Sequence, residues 1–94
     1  MIAGLADKNT ERFAAGNRVK QFDGIAFAAR LKLDRLESAM DLRDLAALPG
    51  NRFEALQGQR RGQYRIRIND QWRICFTWER GTNRPSDVEI VDYH

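Results

Sequence analysis

The chain predicts an α+β domain in which two or three N-terminal helices pack on a twisted antiparallel β-sheet. Two observations carry this. Apolar residues recur at helical spacing through residue 48, and beyond residue 51 the period shortens from 3.6 to 2. A third is length: 94 residues allow one hydrophobic core, so residues 1–94 form a single domain with both halves around it.

The elements follow in order. Ile2–Gly4 reads as a short strand. Asp7 is a cap for a helix over Lys8–Ala15, ended by Gly16. Asn17–Gln21 is a basic connection. Asp23 is the expected N-cap of the longest helix, Gly24–Ala39, whose Ile25, Ala29, Leu33 (or Lys32 beside it), Leu36 and Met40 face inward while Arg30, Asp34 and Glu37 face out. Asp41–Asp44 opens a further helical turn with Leu42, Leu45 and Leu48 buried, and Pro49-Gly50-Asn51 stops it. Arg52–Leu56 is a short strand before the Gly58–Gly62 turn. Tyr64–Ile68 alternates strictly. Asn69-Asp70 turns into Trp72–Trp78, Gly81–Ser86 forms a second hairpin loop, and Val88–Tyr93 is the last strand.

Composition excludes several kinds of chemistry. One His and one Cys cannot make a four-ligand zinc site or an intramolecular disulfide. Gly58 and Gly62 are not followed by the Lys-Ser/Thr of a phosphate loop, and no nucleophile elbow surrounds Ser38 or Ser86. No metal and no cofactor is expected. The absence of a long apolar run or a signal-like N-terminus points to a cytoplasmic protein with no membrane contact.

Charge is more informative. The net charge is +3, yet residues 52–73 hold six arginines (Arg52, Arg60, Arg61, Arg65, Arg67, Arg73) against Glu54 and Asp70. The excess lies in that segment alone and is entirely arginine, whose planar fork suits phosphate oxygens. Alternation sends Tyr64, Ile66 and Ile68 toward the helices and Arg65 and Arg67 away. Ile74, Phe76 and Trp78 likewise leave Arg73, Cys75 and Thr77 on the far face. One hairpin thereby presents several arginines on one sheet face, a phosphate-binding surface.

The run Gly62-Gln63-Tyr64-Arg65-Ile66-Arg67-Ile68-Asn69-Asp70-Gln71-Trp72-Arg73-Ile74-Cys75-Phe76 and the ending Val91-Asp92-Tyr93-His94 resemble HigB toxins of the RelE superfamily. Leu42-Arg43-Asp44-Leu45, Pro49-Gly50-Asn51-Arg52 and Leu56-Gln57-Gly58 also fit, so the resemblance spans the chain. It implies a RelE-like fold and a ribosome-dependent endoribonuclease that cleaves mRNA without a metal. It also implies neutralisation by a HigA-type helix-turn-helix antitoxin, through which alone operator DNA would be reached.

Cleavage by 2′-hydroxyl attack needs a base, cations for the phosphate oxygens and an acid for the leaving 5′-oxygen. The resemblance assigns Arg73 and Arg67 to the phosphate and His94 to the acid. The chain's α-carboxylate and Asp92 favour the protonated form of that histidine. Tyr93 stacks on a base or hydrogen-bonds the scissile group; as an alternative it is a core tyrosine. Some HigB toxins carry histidine where this chain has Glu54 and lysine where it has Gln57. Glu54-Ala55-Leu56-Gln57-Gly58 is similar instead to the segment of the relative YoeB whose glutamate is the base. Glu54 is thus the general base, or a carboxylate that orients an arginine. Lys20, Gln57, Arg60, Arg61 and Arg65 are the expected RNA- and ribosome-binding residues, and Cys75 is packing. The alternative function is a non-catalytic RNA- or antitoxin-binding module with a degenerate site.

Overall fold

The computed structural model describes residues 1–93. Helix α1 (Lys8–Ala14) starts where expected, because the Asp7 side chain accepts from the Thr10 amide, and Gly16 follows it at φ 97°. A 3₁₀ turn over Lys20–Ile25 leads into α2 (Ala26–Ser38), and α3 (Leu42–Ala46) is capped by the Asp41 carboxylate on the Arg43 amide. The sheet is a meander in the order β1 (Glu54–Ala55), β2 (Gln63–Arg67), β3 (Trp72–Glu79), β4 (Arg84–Asp92), every pair antiparallel. The α+β architecture, helices first and then the sheet, is the one the sequence predicts.

The core lies between the helices and one sheet face. Leu33, Leu36 and Ala29 of α2 meet Ile66, Ile74, Phe76 and Ile90, all buried. An aromatic chain runs from α1 into the sheet, Phe13 edge-on to Phe22 (5.5 Å) and Phe22 edge-on to Trp72 (5.6 Å). These contacts fix which sheet face is covered, and so leave the other one open.

Six local expectations are corrected. Ile2–Gly4 is not a strand, although its backbone runs along the edge of β4: the Ala3 amide donates to Pro85 and the Val88 amide to Gly4, beside an isolated Leu5–Val88 bridge. Asp23 does not cap α2, which begins at Ala26, because both its oxygens accept from Arg18. Met40 is 76% exposed: Ala39 turns extended (ψ 133°), which takes Met40 off the apolar stripe. Arg30 does not simply face out, since its guanidinium bonds the Phe13 and Ala14 carbonyls over the Phe13 ring. The strand expected at Arg52–Leu56 shrinks to two residues because Arg52 takes a left-handed conformation (φ 44°). At the other hairpin, β4 starts four residues earlier than expected, at Arg84.

Two buried polar residues tie α2 to the turn before β1. Lys32 Nζ donates to Asn51 Oδ1 at 2.7 Å, and Asn51 Nδ2 donates to the Leu45 carbonyl at 3.1 Å. Asn51 is wholly inaccessible and Lys32 is 8% exposed. Burial, then the Arg35 and Arg67 charges, hold the Lys32 ammonium below its usual range.

Candidate functional site

The pairing register builds the open face one residue at a time. Glu54 opposes Arg65, Arg65 opposes Cys75, and Cys75 opposes Glu89, so a row of four side chains crosses all four strands on one side. Two residues along, Arg67 opposes Arg73 and Arg73 opposes Val91, giving a second row on the same side, about 7 Å away. Tyr93 belongs to this face as well. The guanidinium of Arg65 sits 5.1 Å from its ring centroid, and its hydroxyl lies 3.7 Å from Cys75 Sγ.

Two charge clusters result. In the first, Arg65 Nη2 donates to Glu54 Oε2 at 2.7 Å; this bond, and then Tyr93, raise the Arg65 pKa despite partial burial. In the second, Arg67 donates to the Asp70 carboxylate, which lies below the usual carboxylate range. The Arg67 hydrogen bond is the largest cause, and the charges of Arg67, Arg52 and Arg73 add to it. Arg73 turns its Nη1 onto the carbonyls of Asn69 and Trp72. The Nε of Arg67 is buried with no hydrogen-bond partner.

Of the residues singled out by sequence, Glu54, Arg65, Arg67, Arg73 and Tyr93 come together on this face. Asp92 does not join them. It opposes Trp72, so alternation points it to the helix side, where its carboxylate accepts from Gln71 Nε2 at 3.1 Å. Gln57, Arg60 and Arg61 are exposed in the β1–β2 connection, Arg60 bonding Gln63, and lie toward the opposite end of β2 from Asp70. Lys20 is exposed at the start of the first 3₁₀ turn. His94 lies outside the described residues. Sequence reasoning missed the neighbourhood of Arg52 and the place of Glu89. Arg52 was counted in the arginine excess but not in the site, and extending the alternation into the last strand would have found Glu89.

A separate recess of about 310 Å³ lies at the far hairpin, lined by Asp41, Leu42, Trp78, Arg80 and Asn83. It contains none of these groups. An open cationic face suits an extended polyanion better than an enclosed cavity suits one, so the sheet face is the stronger candidate. Among the described residues no three His, Cys, Asp or Glu side chains gather as a metal site, and no helix is long and apolar enough to cross a membrane.

A small α+β fold with an arginine-bearing sheet face of this kind defines a class, the RelE-like toxins. Residues 4–94 match the family model described as the RelE-like toxin of the type II toxin–antitoxin system HigB, and the chain belongs to that family. It is 46% identical to Toxin HigB-1 of Vibrio cholerae serotype O1 (strain ATCC 39315 / El Tor Inaba N16961) over 83 residues, 86% of this chain and 87% of the relative. Among solved structures its fold is similar to a chain of the YoeB–YefM complex from Staphylococcus aureus, with a TM-score of 0.64 and 20% identity over 100% of this chain and 95% of that one. As a type II toxin it has an antitoxin as partner.

Proposed function

We propose that the protein is a ribosome-dependent endoribonuclease that cleaves mRNA without a metal and so halts translation. One observation carries this reading: Glu54, Arg65, Arg67, Arg73 and Tyr93 project from the same sheet face. The 2′-hydroxyl loses its proton to Glu54, oriented by Arg65, and the oxygen attacks the adjacent phosphorus. The P–O5′ bond breaks, the 5′-oxygen takes a proton from His94, and a 2′,3′-cyclic phosphate remains. Arg67 and Arg73 carry the charge that develops on the non-bridging oxygens. Tyr93 offers its ring to a base. Lys20, Gln57, Arg60 and Arg61 supply contacts to ribosomal and messenger RNA that give affinity without sequence choice. The setting is the cytoplasm, and the antitoxin is of the HigA helix-turn-helix type.

The test is expression of the wild-type chain, Arg73→Ala and His94→Ala, with growth and message integrity on ribosomes as readouts. Wild type arrests growth and cuts messages, and each substitution lowers cleavage roughly a hundred- to a thousand-fold. Cleavage that survives in both variants rejects the site. One observation favours a second reading, a non-catalytic antitoxin-binding module: Glu54 and Arg67 are each engaged by an internal partner, Arg65 and Asp70. A wild-type chain that neither slows growth nor cuts messages would select it.

A further inference from the structure

Asp70 has no part in the proposed chemistry, yet it sits among the cations that chemistry needs. Its side chain is 97% exposed, and among the described residues its only ion pair is with Arg67, three residues before it across the β2–β3 turn. An ion pair so open to water is exchangeable, because solvent competes for both partners. The contact also leaves Arg67 half used: one Nη2 meets one carboxylate oxygen, while Nε has no partner. A phosphodiester brings two non-bridging oxygens, which match a guanidinium fork better than one carboxylate oxygen does.

Arg52 completes the arrangement. Arg52 lies two residues before Glu54, at the end of the β1–β2 pair nearer the β2–β3 turn, where its left-handed backbone ends the pairing. Its charge acts on Asp70, yet it forms no ion pair within 4 Å among the described residues. Its backbone is held left-handed (φ 44°, ψ 51°), a conformation costly for any residue with a Cβ. The neighbouring Asn51, bonded to Lys32 and Leu45 in the core, fixes that turn from below. A strained exposed arginine on a buried anchor is a side chain placed for use.

We propose that Arg52 is a third phosphate-binding arginine beside Arg67 and Arg73, and that the Asp70 carboxylate occupies the phosphate's position until a phosphodiester displaces it. The inference rests on the reading of this face as RNA-binding. It names the anion subsite and the internal group that competes for it.

The experiment measures binding of a labelled, uncleavable 2′-O-methyl oligoribonucleotide to the whole protein by fluorescence anisotropy over a series of salt concentrations. Arg52→Gly is the chosen variant, since glycine adopts the left-handed turn without strain and the fold can be checked by its melting curve. It should weaken binding several-fold at low salt and reduce the slope of log K against log salt by about 0.7, one phosphate contact to a single strand. Arg52→Lys should restore most of the slope. Asp70→Asn should tighten binding several-fold. Wild-type affinity and slope in Arg52→Gly overturn the role of Arg52, and unchanged or weaker binding in Asp70→Asn overturns that of Asp70. Because the probe has no free 2′-hydroxyl, its binding is independent of cleavage. Messages left uncut beside a normal Arg52 effect would refute the nuclease and spare the subsite, and the converse result would do the opposite.

Discussion

Asn51→Ala removes the polar link between α2 and the turn that leads into β1, and its cost can be worked out bond by bond. The Lys32–Asn51 contact at 2.7 Å involves a charged donor, in surroundings where Lys32 is 8% exposed. Losing such a bond costs about 1.5–3 kcal/mol. The 3.1 Å bond to the Leu45 carbonyl is neutral and adds about 0.5–1.5 kcal/mol. Together they amount to roughly 2–4.5 kcal/mol, a large share of the ~5–15 kcal/mol that holds a domain together. Urea denaturation followed by tryptophan fluorescence reads this directly, and the melting midpoint should fall by roughly 10–30 °C. The second arm is the double variant Lys32→Met, Asn51→Leu. Removing both partners leaves neither a stranded charge nor an orphaned amide, so its loss should be smaller than the sum of the single losses. A loss below about 0.5 kcal/mol in Asn51→Ala, or strict additivity in the double variant, would refute the view that these two residues satisfy one another.

Three further outcomes are expected. Asp23, Asp41 and Asp70 lie below the usual carboxylate range because Arg18, Arg43 and Arg67 donate to them. Their small contribution is therefore complete above the ordinary aspartate pKa and disappears as the pH falls through the lowered values. Urea midpoints between about pH 5 and pH 2 should show it, with a flatter profile in Asp→Asn variants. The Lys32 pKa is lowered as well, here because burial penalises its charged form, so the folded chain holds its proton less tightly than the unfolded chain does. Stability should rise as alkaline pH climbs from that lowered value toward the ordinary lysine pKa, and Lys32→Met should abolish the rise. Asp7→Ala deletes the cap on the Thr10 amide and should cost about 1 kcal/mol in the same denaturation assay without altering RNA binding.

The sheet face was legible because Tyr64–Ile68 alternates without interruption, and in a sheet with one covered side such alternation leaves one orientation for Arg65 and Arg67. Arg73 followed from Ile74 and Phe76 in the same way. Long-range pairing was not legible. Nothing local to Asp23 says that Arg18 will claim it, so a good cap residue made a different bond. Nothing local to Arg52 announces a left-handed turn, which depends on Asn51 reaching the buried Lys32 nineteen residues away. Asp92 and Tyr93 stand together in the motif, but as neighbours along the chain they point to opposite sides, Asp92 opposing Trp72. The Glu54–Arg65 contact lay within the alternatives that the sequence offers for Glu54.

The row Glu54, Arg65, Cys75, Glu89 draws a single contribution from each strand. Slipping any of the three pairings by one position would turn a strand's contribution toward the helices and bring apolar side chains out in its place. The β2–β3 hairpin alone sets Arg65, Arg67 and Arg73 on one side, and the full row of four forms only when all three pairings are in register. Any property that needs Glu54 beside the arginines is thus a readout of the β1–β2 and β2–β3 registers at once.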